Sequence, residues 1–159
     1  MLWRLLFVIL FASQAYADTK IAFLELRTYD GKILQLEPNG RFAHVAISYG
    51  DKWLHAHPLR GVELVNLSIL EKVGKIKAVV SVSVNSLSDN AVKRFLGKPY
   101  DSQFSWTDEG IYCSELLAKL LGIAPKPMRF RGPYWPAEYR KREGEPGISP
   151  DELARMFGV

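Results

Sequence analysis

The only cysteine of the chain, Cys113, stands where a helix is expected to begin. Loop residues precede it, and the run Ser114–Leu121 that follows consists of good helix formers closed by Gly122, a typical helix end. The four leucines of this run lie on one stripe with Cys113, so the sulfur faces the core from the first turn. Free backbone N–H groups and the positive end of the helix dipole favour a thiolate there. The sequence therefore predicts a nucleophilic cysteine at a helix N-terminus.

The first seventeen residues have the pattern of an export signal. Arg4 gives a positive start, residues 5–12 are apolar, and Ala15-Tyr16-Ala17 is a small-x-small cleavage site. We expect residues 1–17 to be removed and residues 18–159 to form one exported, periplasmic domain without stable membrane insertion. The formal charge then falls only from +4 to +3, and without a long basic run this argues against a nucleic-acid partner. In an oxidising compartment, an unpaired cysteine is either buried and inert or kept for its reactivity.

All three histidines fall between residues 44 and 57. Residues 41–49 and 52–57 predict two strands joined by a turn at Gly50-Asp51. In a regular hairpin Ala46 pairs with His55 and His44 with His57, on one face shared with Trp53, whereas a bulge at the turn would move His55 closer to His44. A helix that packs on this face would bring Cys113 to the histidines.

The remaining elements predict the fold class. Residues 21–27 and 33–36 indicate a hairpin around Asp30-Gly31, residues 67–73 a short helix, and residues 76–84 a β-branched strand. Ser88 and Ser149 have the positions of helix N-caps. This order of elements predicts an α+β domain with helices packed on an antiparallel sheet.

Four short motifs stand in a fixed order along the chain: Phe42-Ala-His44-Val-Ala-Ile, Trp53-Leu-His55-Ala, Gly97-Lys-Pro-Tyr-Asp and Tyr112-Cys113-Ser-Glu-Leu. In this order they resemble the circularly permuted branch of the NlpC-type papain-like cysteine hydrolases, in particular its YiiX/YebB-like subgroup. A weaker similarity follows in Gly147-Ile-Ser-Pro-Asp-Glu-Leu. The resemblance implies a permuted papain-like fold with Cys113 as nucleophile, His44 as general base and acid, and His55 as the residue that orients His44. His57 is the rival for this third role, because the turn between the histidine strands is one residue shorter than the family pattern.

The resemblance and the export signal together indicate an exported amidase or peptidase that acts on peptide or cell-wall fragments. We expect Tyr100, Tyr112, Trp53 and His57 to contact the substrate, with Tyr100 as a donor to the oxyanion. Two alternatives remain open: a thiol acyltransferase or lipid-directed hydrolase, indicated by a hydrophobic groove beside Cys113, and a non-catalytic binding module with a structural cysteine. The sequence indicates no metal or other cofactor, although three clustered histidines are also typical of a zinc site.

Overall fold

A five-stranded antiparallel sheet forms the middle layer of the protein. The computed structural model describes residues 18–83 and 87–159, so the predicted signal segment 1–17 lies outside the described residues. The order of strands is β4-β3-β2-β1-β5. Their bounds are β1 Thr19–Glu25, β2 His44–Tyr49, β3 Lys52–His57, β4 Gly61–Val65 and β5 Lys75–Val82.

Helices cover both faces of this sheet, as the α+β prediction requires. They are α1 Leu67–Val73, α2 Asp89–Phe95, α3 Cys113–Leu121 and α4 Pro150–Phe157. A two-stranded ribbon of β6 (Lys126–Pro127) and β7 (Pro146–Gly147) and a 3-10 helix (Ala137–Arg142) complete the described elements. No helix in the described part of the chain has the length and apolar character that a membrane span requires.

Helix α3 supplies the centre of the core. Its residues Leu116 and Leu117 are fully buried, and they join Val45, Ile47 and Leu54 in the main apolar cluster. The helix ends at Gly122 in the left-handed conformation, as predicted. Because successive strand residues point to opposite faces, the other side of the sheet carries a second cluster. There Leu70 of α1 packs on residues of β1 and β2.

The predicted first hairpin is wrong. Only a single bridge, between Arg27 and Ile33, joins the two segments. Both edges of β1 are already paired, with β2 on one side and β5 on the other, so no edge remains for a third partner. The segment leaves the sheet instead, and the indole N–H of Trp135 donates to the carbonyl of Leu36 at 2.7 Å.

The histidine hairpin follows its predicted register only near the turn. Tyr49 pairs with Lys52, Ser48 with Trp53 and Ile47 with Leu54, as a two-residue turn requires. The ladder between β2 and β3 stops there, so among the described residues the predicted pairs Ala46–His55 and His44–His57 do not form.

The amide of Val45 marks the place where the two strands separate. By alternation its N–H points toward the β3 side. There it forms a hydrogen bond with the Cys113 sulfur instead of a ladder bond. The separation of the strands therefore makes room for the sulfur at the end of the sheet.

Candidate active site

Cys113 is the first residue of α3 and is only 4% exposed. Burial raises the pKa of its thiol to about 11, although hydrogen bonds from the backbone of Val45 and Ser114 oppose this shift. The predicted lowering of this pKa by the helix start is therefore wrong for the protein without substrate, because desolvation outweighs the backbone donors. Cys113 is a neutral thiol near pH 7.

The start of α3 is held by the chain just before α4. The hydroxyl of Tyr112 accepts a hydrogen bond from the N–H of Ile148 at 3.1 Å, and Ser114 Oγ donates to the Ile148 carbonyl at 2.8 Å. Gly147 is required here, because a Cβ at this position would lie 2.8 Å from the Tyr112 hydroxyl oxygen. The sequence motif from Gly147 onward thus fixes the helix that carries the cysteine.

His44 begins β2 and is almost completely buried. Its Nε2 lies 2.9 Å from Nδ1 of His55, with the two rings edge to face. Burial, together with the nearby imidazoles of His55 and His57, lowers the pKa of His44 to about 3, so the ring is neutral at pH 7. By alternation His44 belongs to the sheet face opposite α3, and the prediction of a face shared with α3 is wrong.

His44 and Cys113 nevertheless line the same cavity, because both stand where the sheet ends. This cavity has a volume of about 160 Å³. Tyr100 and Tyr112 also line it, as predicted, and Arg129 is the one charged side chain among the described residues of its wall. Within residues 18–83 and 87–159, no hydrogen bond joins the His44 ring to the Cys113 thiol. Most of the wall is apolar, including Leu26, Leu34, Leu36, Ala43, Phe104, Met128, Trp135 and Ile148.

His55 is fully buried behind His44. Its Nε2 lies 3.2 Å from Oε1 of Glu63, its cross-strand partner in β4, although the direction of the N–H does not make a hydrogen bond. Burial lowers the pKa of His55 to about 4, and the Glu63 carboxylate opposes this shift. Arg60 in turn binds both carboxylate oxygens of Glu63. Glu63 was not predicted as part of the site, although a carboxylate inside the short strand 61–65 could have indicated it.

Two residues that were predicted to contact the substrate, Trp53 and His57, lie outside the cavity. Trp53 packs beside the apolar cluster on the α1 face, because its position in β3 alternates away from α3. His57 is half-buried, and its Nδ1 accepts a hydrogen bond at 3.1 Å from the N–H of Leu59 in the turn between β3 and β4. Neither side chain lines the cavity. Of the two candidates for the third role, His55 contacts His44 and His57 does not.

Asp151 at the start of α4 fixes the chain that leads into His44. Its Oδ1 accepts hydrogen bonds from the backbone N–H groups of Arg41 at 2.8 Å and Phe42 at 2.9 Å. Its carboxylate is buried, which raises its pKa. The segment that holds the start of α3 through Ile148 therefore also holds the start of β2.

Comparison with known proteins supports the fold and the class of site. A family model described as permuted papain-like amidase enzymes of the YaeF/YiiX type, family C92, matches residues 21–129. Over 48 residues the chain is 42% identical to the uncharacterized protein YiiX of Escherichia coli K12, a segment that makes up 30% of this chain and 24% of YiiX. The chain therefore matches only about a quarter of that relative's length. The crystal structure of YiiX from Escherichia coli O157:H7 is similar in fold, with a TM-score of 0.62 and 25% identity over 86% of this chain and 90% of that chain.

That crystal structure is described as one of a metalloprotein, and the clustered histidines of this chain are the side chains that could hold a metal ion here. Among the residues that the structure describes, no group of three or more histidine, cysteine or acidic side chains has an arrangement that fits a metal ion. His44 Nε2 and His55 Nδ1 face each other at hydrogen-bond distance and do not converge on a common point. The arrangement of these described side chains therefore does not fit a metal ion.

Proposed function

Because the chain belongs to the family of permuted papain-like amidases, we propose that it is an exported thiol hydrolase that cleaves an amide bond. The matching family is of the YaeF/YiiX type, which differs from the general NlpC-type label predicted from the motifs. Cys113 is the nucleophile, His44 the general base and acid, and His55 the residue that orients His44. The observation that carries this proposal is a buried thiol and a buried imidazole in one cavity, with a second imidazole 2.9 Å behind the first.

The reaction begins from two neutral groups. As Sγ attacks the amide carbonyl, the thiol proton passes to Nδ1 of His44, the ring nitrogen that His55 does not engage. The backbone N–H of Cys113 at the helix start and the hydroxyl of Tyr100 stabilise the oxyanion that forms. Burial beside Cys113 raises the pKa of Tyr100, so its hydroxyl keeps the proton that it donates.

The second half of the cycle releases the products. The His44 imidazolium gives its proton to the leaving amine as the C–N bond breaks, which leaves a thioester on Cys113. His44 then takes a proton from water as the water oxygen attacks the thioester. The carboxylic acid leaves, and the proton on His44 returns to the sulfur.

The test is capture of the thioester. Incubation with an amide substrate, followed by acid quenching and mass spectrometry of the intact protein, should show an acyl adduct on Cys113. Cys113→Ala should abolish both the adduct and hydrolysis, and His44→Ala should reduce hydrolysis by several orders of magnitude. His57→Ala is the matched control, because His57 lies outside the cavity, and it should retain activity. Full hydrolysis by Cys113→Ala would contradict the assignment.

The substrate that the export signal and the family favour is a peptide amide bond of the cell wall. A panel of muropeptides, separated by chromatography after incubation, tests this directly. Release of a free amine from any of them, lost in Cys113→Ala, would support the proposal. If none of the muropeptides is cleaved, cell-wall peptides are excluded as substrates, and the proposed thiol mechanism would then apply to other amides.

The second candidate is hydrolysis or transfer of a fatty acyl group, and the apolar wall of the cavity favours it. A series of acyl esters of increasing chain length should then show faster turnover for longer chains, because each buried methylene contributes about 0.8 kcal/mol. Leu34→Asp places a charge in the wall and should remove this preference while retaining turnover of the acetyl ester. Ile33→Asp is the control, since its side chain is exposed and does not line the cavity. Equal turnover across the series would refute this candidate.

A further inference from the structure

A line of polar contacts runs from the surface to the cavity across β4, β3 and β2. Arg60 holds Glu63 with Nε at 3.0 Å from both carboxylate oxygens and NH2 at 2.7 Å from Oε1. Glu63 lies 3.2 Å from Nε2 of His55, and Nδ1 of His55 lies 2.9 Å from Nε2 of His44. The side chain of Glu63 is 24% exposed and that of Arg60 48%, so the line begins at the surface and ends at two buried imidazoles.

The carboxylate at the outer end decides where the ring protons reside. A neutral imidazole carries one N–H and one acceptor nitrogen, and an ionised carboxylate can only accept. The carboxylate of Glu63, 3.2 Å from Nε2 of His55, attracts the ring proton to that nitrogen even though the N–H is not aligned for a hydrogen bond, and this leaves Nδ1 as an acceptor. His44 then donates to it from Nε2, and its own acceptor nitrogen is Nδ1.

We propose that Glu63 is a positioning residue that fixes His55 and, through His55, His44 as Nε2–H tautomers, so that Nδ1 of His44 is free to take the proton of Cys113. This inference rests on the proposed function only in its last step, because the two tautomers exist whether or not a substrate binds. The carboxylate also compensates the positive charge that forms on His44 during the reaction.

The contacts of Arg60 support this role. Its hydrogen bonds lower the pKa of Glu63, so the carboxylate stays ionised at every pH at which the enzyme is expected to work. Its contacts with both oxygens also fix the plane of the carboxylate. Without Arg60, Glu63 would be a flexible surface side chain and would not hold one geometry against His55.

The test is NMR of the ring nitrogens in protein labelled with 15N-histidine. At pH 7 the low pKa values of His44 and His55 keep both rings neutral, so each tautomer has its own pair of 15N shifts. We expect Nε2–H for both rings in the wild type, with the third histidine identified by His57→Gln. In Glu63→Gln the amide can donate to Nε2, which should convert His55 and then His44 to Nδ1–H forms.

Activity gives the second readout. Glu63→Gln should lower kcat by about 10- to 100-fold, the range that loss of an orienting partner commonly produces, with little change in KM. Glu63→Asp retains a carboxylate and should recover part of the Nε2–H signal and part of the activity. Glu71→Gln is the matched control, because Glu71 is an exposed residue of α1, and it should change neither readout.

Three outcomes would overturn the inference: an Nδ1–H form of His55 in the wild type, unchanged tautomers in Glu63→Gln, or changed tautomers with an unchanged kcat. Failure of the proposed function is distinguishable from all three. It would appear as a wild type that hydrolyses no amide or ester, and the NMR spectra would still decide whether Glu63 sets the tautomers.

Discussion

The protonation of Cys113 without substrate gives the most direct test of the reasoning about this site. Burial raises the pKa of the thiol from its ordinary value of 9.0 to about 11. Two pKa units reduce the thiolate fraction about 100-fold, so at pH 7 about one molecule in ten thousand carries the thiolate, against about one in a hundred for a free cysteine. Since only the thiolate reacts with iodoacetamide, the alkylation rate of the folded protein should rise tenfold per pH unit from pH 7 to pH 10.

The assay is mass spectrometry of the intact protein after timed exposure to iodoacetamide at each pH. Cys113 is the only cysteine, so every adduct reports on it. The same protein unfolded in urea is the control, and its rate should level off above pH 9. The shape of the curve, and not the absolute rate, carries the result, because limited access to the buried sulfur lowers the rate equally at every pH. A rate that is already constant between pH 5 and pH 8 would show a thiolate–imidazolium pair and refute the reasoning.

Further predictions concern stability and are measured by urea unfolding. Asp151→Ala should lower the free energy of unfolding by about 2 to 4 kcal/mol, because two backbone N–H groups lose their acceptor; Asp151→Asn keeps an acceptor and should lose less. Leu117→Ala should lower it by about 2 to 5 kcal/mol through the cavity left in the core, and a loss below 1 kcal/mol would show that α3 is not central. Burial raises the pKa of Glu115 from 4.5 to about 7, so the folded state binds an extra proton between these values. The free energy of unfolding of the wild type relative to that of Glu115→Gln should therefore fall by up to about 3 kcal/mol from pH 4.5 to 7. The comparison with the variant removes the opposite change, common to both proteins, that the lowered pKa values of His44 and His55 produce.

The sequence predicted those parts of the site that depend on local pattern. The start of α3 at Cys113 and its end at Gly122 follow from helix formers and a terminal glycine, and both are confirmed. The register at the Gly50-Asp51 turn follows from the length of the loop, and it is confirmed for the pairs nearest the turn. These features are determined by residues that are close in sequence, so the amino-acid sequence alone is sufficient to predict them.

Features that depend on distant partners were not predicted. The ladder between β2 and β3 ends at Ile47, and the amide of Val45 beyond this point interacts with the sulfur of Cys113, which lies 68 positions away in the chain. The raised pKa of Cys113 depends on how much of the protein surrounds the sulfur, and no local pattern gives this quantity. Glu63 was not predicted because its partner His55 lies on a different strand. The alternation of residues along a strand shows which face of the sheet a side chain is on, but it does not show which residue of the next strand lies beside it.

The contacts of the segment before α4 also determine when the site can form during folding. Asp151 binds the chain at Arg41 and Phe42 across sequence separations of 110 and 109 residues, and Ile148 binds the start of α3. Contacts between residues so far apart in sequence form late, because a long loop must close first. During synthesis, sheet and helices can associate before residue 151 exists, whereas the cysteine and histidine segments lack their common support until residues 148–151 are made. Cys113 and His44 thus reach their final positions only after this segment is added, and removal of residues 148–159 should leave a folded sheet without an ordered cavity between them.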